Sequence, residues 1–167
     1  MVPEQALIIC ASIHHRNTMK VAKVMREELD AVIVTPERID EVIPDTYDLI
    51  GLGSGVYNGR HHQSIFDVLE SVPFRPRQRV FIFSTAAVLS DHYHVSLKNT
   101  LIQKKYAVVG EFSCKGFMNH GFTKVLFGGI NKDRPNEQDL QNARTFAKQL
   151  LHTENVFSSP RASTVQI

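Results

Sequence analysis

Hydrophobic positions along the chain gather into five blocks, at Ala6 to Ala11, Ala31 to Thr35, Asp48 to Ser54, Arg79 to Thr85 and Ala107 to Cys114. The blocks are mostly continuous Val, Ile, Leu and Phe with little alternation. A strand with one wet face alternates, whereas a strand covered on both faces does not. The blocks therefore predict a parallel sheet with helices on each side. Between them the hydrophobic period lengthens to that of a helix. Val21, Met25 and Leu29 recur at four-residue spacing after Asn17 and Thr18, which are suited to cap that helix. Ile65, Leu69 and Val72 mark a second helix, and Leu97, Leu101 and Lys104 a third that starts near Asp91. A fourth opens at Pro135-Asn136 and turns Leu140, Ala143, Ala147 and Leu150 inward. Asn136 is a good cap there, and Glu137 and Asp139 suit the positive end of the helix dipole. The proline-bounded stretch Pro36 to Pro44 has room for a turn or two.

The elements alternate as β-α-β-(short)-β-α-β-α-β-α, and crossovers of this kind are right-handed. The expected fold class is α/β: a doubly wound five-stranded parallel sheet in the order 2-1-3-4-5, with helices on both faces. Residues 1–151 are expected to form this domain. Residues 152–167, polar and aperiodic, are expected to form a loosely held C-terminal tail.

Composition narrows the function classes. A chain of 167 residues can bury a full core, and its net charge of +2 excludes a nucleic-acid binder driven by bulk charge. No run approaches the roughly 20 apolar residues of a membrane span. Met1-Val2-Pro3-Glu4-Gln5 lacks the basic start of a secretory signal. Cys10 and Cys114 lie inside apolar blocks and read as core thiols of a reducing compartment. A cytoplasmic location is expected.

In an open parallel sheet the ligand sits beyond the carboxyl ends of the strands, where strand order reverses. That rule selects the loops Ser12 to Thr18, Gly53 to His62, Thr85 to His94 and Lys115 to Gly121. Seven of the eight histidines fall in them: His14, His15, His61, His62, His92, His94 and His120. The first loop joins a buried strand to a helix, so its backbone N–H groups and the helix dipole make an anion site. The hydroxyls of Ser12 and Thr18, the Asn17 amide and His14 and His15 add donors. This loop suits one terminal phosphate. It lacks the glycine spacing and lysine of a nucleoside-triphosphate loop. The segment Gly51 to Gly59 has four glycines in nine residues, which lets the backbone approach a flat ligand, and Tyr57 supplies a ring to stack on it. The loop Ser84-Thr85-Ala86-Ala87-Val88 offers small residues whose amides suit a ring edge. The pairs His14-His15, His61-His62 and His92-x-His94 raise metal binding as a further class, although adjacent residues rarely point at one ion and no spacing matches a known site. Alternatively, the histidines form an exposed rim, either inert or gaining charge as pH falls toward about 6.5.

Together these segments resemble the flavodoxin family, over about Ala6 to Leu151. Asn17-Thr18 match the end of the family's Gly-Asn-Thr phosphate loop, with Arg16 at the glycine position and Ile13, His14 and His15 where Ser or Thr is usual. Gly53-Ser54-Gly55-Val56-Tyr57 looks like its second flavin loop and Ser84-Thr85-Ala86-Ala87 like its third. The resemblance implies noncovalent flavin mononucleotide (FMN). Ser12, Ile13, His14, His15, Arg16, Asn17 and Thr18 would hold the phosphate. Ser54, Gly55, Val56, Tyr57, Asn58 and Gly59 would bind the cofactor, with Tyr57 and Tyr93 or His92 covering the faces of its ring. Thr85, Ala86, Ala87 and Val88 would meet its pyrimidine edge. The Asn58–Gly59 peptide is the candidate for turning toward flavin N5, because glycine tolerates both conformations. Arg16 either neutralises a phosphate dianion or obstructs the pocket.

The implied function is electron transfer through the flavin, with a redox partner protein or a small oxidant or reductant. An FMN-dependent reductase using NAD(P)H and a quinone is the alternative. A non-catalytic or metal-binding module on the same scaffold is a third class. Neither nucleic acid nor a membrane span is expected. The sequence pI near 8.6 departs from the acidic character usual in the family.

Overall fold

The computed structural model describes residues 5–13, 16–119 and 129–152. The histidines His14, His15 and His120 and the tail beyond His152 lie outside the described residues. The first strand, β1 (Ala6–Ala11), is buried at every position. It leads into α1 (Asn17–Leu29), followed by β2 (Val32–Val34), and then short 3-10 turns at Pro36–Glu41 and Pro44–Thr46. Next come β3 (Leu49–Tyr57), β4 (Arg60–His61), α2 (Gln63–Ser71) and β5 (Arg79–Ala86). A 3-10 turn at Asp91–His94 feeds α3 (Val95–Gln103), then β6 (Ala107–Lys115) and finally α4 (Glu137–His152).

Five strands run in the spatial order β2-β1-β3-β5-β6, all parallel, with β2 only three residues long. This is the 2-1-3-4-5 order expected from the hydrophobic blocks. The addition is β4, a short antiparallel strand paired only with the end of β3 through Val56↔His61 and Tyr57↔Arg60. Asn58 and Gly59 connect the two at φ 50° and 77°. Positive φ at both central residues is the geometry of a type I′ hairpin turn, and Asn-Gly is the dipeptide that favours it most.

Two apolar layers cover the sheet. On one face α1 and α4 pack with Ile8, Cys10, Phe81 and Phe83. On the other, α2 and α3 pack with Ile9, Ile50, Leu52 and Ile82. The structure reassigns Gly51 and Gly53, which the sequence placed with the ligand loop. They lie in buried strand, and a Cβ on either would stand 2.3 Å from the Phe81 ring or 2.0 Å from the Phe83 ring. They are glycine because two phenylalanines of β5 lie across them.

The helix ends show local chemistry of two kinds. At α4 the expected cap is present in full. Asn136 Oδ1 accepts from the Asp139 N–H at 3.0 Å, and the Asn136 N–H donates to Asp139 Oδ2 at 2.9 Å. Ala143, Ala147 and Leu150 are buried, as the spacing predicts. At α1 Asn17 and Thr18 are not caps. They lie inside the first turn, and Arg16 holds the cap position at φ 52°, ψ 28° without a side-chain cap bond.

Candidate functional site

The carboxyl ends of β1, β3, β5 and β6 surround a cleft of about 210 Å³. Each wall comes from a different loop. The β1–α1 connection contributes Ser12, Asn17 and Thr18, the end of β3 contributes Gly55, Val56 and Tyr57, and the end of β5 contributes Thr85, Ala86 and Ala87. The fourth wall is Gly116, Phe117 and Met118, just past β6. The strand-end rule selected this last loop, but its residues were not singled out as ligand contacts. The signal was Gly116. A Cβ there would lie 3.0 Å from Asn17 Nδ2 and 3.2 Å from the Thr85 Cβ, so two walls meet over it.

Side chains tie these walls into one rim. Thr18 Oγ1 and Thr85 Oγ1 share a buried hydrogen bond of 2.8 Å. Asn17 Nδ2 donates to the Phe117 carbonyl at 2.7 Å, and Asn131 Nδ2 donates to the Ala87 carbonyl at 2.7 Å. Asn17 Oδ1 is buried with no hydrogen-bond partner among the described residues. At the start of α1 the Met19 N–H donates to Ser12 Oγ at 3.2 Å and the Lys20 N–H to the Arg16 carbonyl at 3.0 Å. That leaves the N–H groups of Asn17 and Thr18 without an acceptor among the described residues, at the positive end of the helix.

Several expected contacts fall outside the cleft. Ile13 is half-exposed, and Arg16, Asn58, Gly59 and Val88 are exposed; none lines the cleft. Arg16 therefore fills none of it, and its backbone adopts the left-handed conformation for which glycine is the usual residue. Tyr93 lies in the 3-10 turn before α3, away from the lining. Ser54 is fully buried and turned to the opposite face of the sheet.

The histidines do not form one exposed rim. His61 is 1% exposed and His94 6% exposed. Their rings lie 5.0 Å apart, tilted by 40°. Burial and the neighbouring His94 push the His61 pKa down to about 3. Burial also lowers that of His94, against the opposing pull of Glu111. His61 therefore stays neutral through the ordinary histidine range. His62 has a local task, capping α2 by accepting the Ser64 N–H, and His92 is exposed. Ser84 Oγ, His94 and Glu111 are linked by contacts of 2.8 and 3.2 Å. That is the connectivity of a hydroxyl nucleophile with its base, but Ser84 is fully buried, with no surface at which a substrate reaches it. No group of three or more His, Cys, Asp or Glu among the described residues is placed to hold a metal ion. Cys10 and Cys114 are free and buried.

An open parallel sheet with one polar-rimmed cleft at its topological switch point defines a doubly wound α/β protein of the ligand-binding kind. Comparison with known proteins gives the family. A family model described as a flavodoxin domain matches residues 8–155, and the chain belongs to that family. A protein of Methanocaldococcus jannaschii described as uncharacterized is 45% identical over 149 residues, which is 88% of this chain and 98% of the relative. Among solved structures, oxidised Flavodoxin 2 from Bacillus cereus aligns with a TM-score of 0.66 at 19% identity, covering 89% of this chain and 98% of that one. A flavodoxin from the domain Archaea aligns with a TM-score of 0.65 at 13% identity, covering 89% and 96%. No described helix is long and apolar enough to cross a membrane.

Proposed function

We propose that the cleft binds FMN noncovalently and that the protein transfers electrons through it. The observation that carries this reading is the convergence of four strand-end loops on one cleft whose lining combines polar groups with apolar side chains. Ser12 and the start of α1, where the Asn17 and Thr18 N–H groups have no acceptor among the described residues, favour a phosphate. Tyr57, Phe117, Met118 and the alanines at the end of β5 add apolar lining on which a flat ring can pack. The residues present fit the group: the buried Asn17 Oδ1 awaits a donor, and Gly55 and Gly116 keep the walls free of side chains. Ser12 and the backbone of Asn17 and Thr18 would hold the phosphate. Tyr57 would cover the ring, and the Ala86 and Ala87 backbone would meet its polar edge. When bound, the flavin supplies the electron chemistry, and the protein supplies orientation and exclusion of water.

Purified protein is expected to show an absorbance band near about 450 nm, the chromophore being the flavin's own. Colourless protein that also fails to quench added FMN fluorescence overturns the reading. The partner is a redox protein or a small oxidant. Anaerobic titration with NADPH separates an electron carrier, which needs a partner for reduction, from a reductase, which oxidises NADPH directly.

A further inference from the structure

We propose that His61 and His94 are positioning residues for the cleft: packed ring against ring beneath the β3–β4 hairpin, they hold Gly55–Tyr57 in the conformation that forms one wall. The proposal rests on the reading of the cleft as the ligand site.

The hairpin needs such support. Pairing of β3 with β1 ends at Ser54 and with β5 at Gly55, so Val56 and Tyr57 have β4 as their one sheet partner. Two residue pairs make a marginal hairpin on their own. Beneath it, Ser54 Oγ is a hub. It accepts the His62 N–H at 3.0 Å, donates to the Gly55 carbonyl at 2.7 Å and lies 2.9 Å from His61 Nδ1. With the Ser54 proton committed to Gly55, the His61 proton belongs on Nδ1, donated to Ser54. Its buried Nε2, which has no partner, is then a bare acceptor, which costs less than an orphaned N–H.

His94 continues the support. Its Nε2 faces Ser84 Oγ at 2.8 Å, and its Nδ1 faces Glu111 Oε2 at 3.2 Å, where Lys98 pairs with the same carboxylate. Ser54 and Ser84 are register partners, so the two imidazoles satisfy adjacent hydroxyls at the polar end of an otherwise apolar face. Asp91, Lys98 and Glu111 are the charged groups that bear on His94. An aliphatic plug of equal size would take from Ser54 one of its three partners and from Ser84 its imidazole, and a second proton on His61 Nε2 would face no acceptor among the described residues.

The test uses amide hydrogen exchange of the flavin-free protein, with FMN affinity measured in parallel by fluorescence quenching. His61→Leu is expected to speed exchange at Tyr57 to His62 by about tenfold or more, the equivalent of one lost buried hydrogen bond, while the amides of β1 stay unchanged. FMN affinity is expected to fall by a similar factor. His61→Asn, which restores a donor near the Nδ1 position, is expected to recover most of both. Ser54→Ala removes the same bonds with little change of volume and stands in if His61→Leu lowers overall stability. Hairpin exchange within twofold of wild type in both His61→Leu and Ser54→Ala overturns the proposal. So does faster exchange with unchanged affinity for FMN. If the unmodified protein binds no FMN, the flavin reading fails by itself, while the exchange data still decide whether the histidines hold the wall.

Discussion

Arg16 shows a residue with a side chain held in a backbone conformation for which glycine is the usual choice. Its backbone lies at φ 52°, ψ 28°, a region that costs an L-residue about 1–2 kcal/mol. Arg16→Gly removes that cost and adds about 0.5–1 kcal/mol of unfolded-state freedom, so the variant is expected to be more stable by about 0.5–1 kcal/mol. A higher midpoint in urea denaturation checks this. The departure from glycine was legible in the sequence, but its consequence was not, because residue type does not show whether a loop deforms or carries strain. Position in the chain gave a similarly partial account of histidine. Seven histidines near strand ends read as a rim, yet His61 and His94 point under the sheet, where serines of β3 and β5 wait for them.

At the scale of elements, the central strands β1, β3 and β5 were legible because burial on both faces writes a continuous apolar block, whereas the edge strands β2 and β6 are partly exposed and were legible from their valines and isoleucine alone. The α4 cap was legible because Asn136 and Asp139 are three residues apart and bond each other. The β3–β4 hairpin was not, although Asn58-Gly59 is its signal. Its two short flanks carry no alternation, and its support comes from residues 54 to 111, brought together by the fold. Glycine content misled for a related reason. Gly51 and Gly53 are explained by Phe81 and Phe83 across the strand pair, a relation that register alone reveals. Gly53→Ala places a methyl group 2.0 Å from a fully buried Phe83 ring. Such overpacking is expected to destabilise by about 2–4 kcal/mol, visible as a lowered Tm with the cleft sequence untouched.

For the whole molecule, buried titratable groups bound stability on both sides of neutrality. In the unfolded chain His61 protonates near its ordinary value of 6.5, but in the fold only near about 3. The stability tied to the neutral ring is therefore complete above pH 6.5 and falls as pH drops, by about 1.4 kcal/mol per unit. His94, shifted the same way, steepens the loss. Cys10 and Cys114 act in the opposite sense, since burial raises both thiols from 9.0 to about 12. Their contribution is complete below pH 9 and declines above it. Denaturation midpoints recorded from pH 5 to 10 are expected to form a plateau from about 7 to 8.5 that falls at both ends. His61→Asn is expected to flatten the acid side.

The Ser54–Ser84 row has a consequence for how the chain finds its pairing. Shifting one parallel strand by a single residue turns its side chains to the wrong face, and the apolar pattern forbids it. A shift of two residues keeps every face correct, so oily strands by themselves tolerate it. Here such a slip would carry Ser84 away from Ser54 and set it opposite Leu52 or Val56, parting the two hydroxyls that the His61 and His94 rings satisfy together. The hydroxyl–imidazole pairs thus work as a reading frame for the sheet, telling the correct alignment from the nearest wrong one that hydrophobicity accepts.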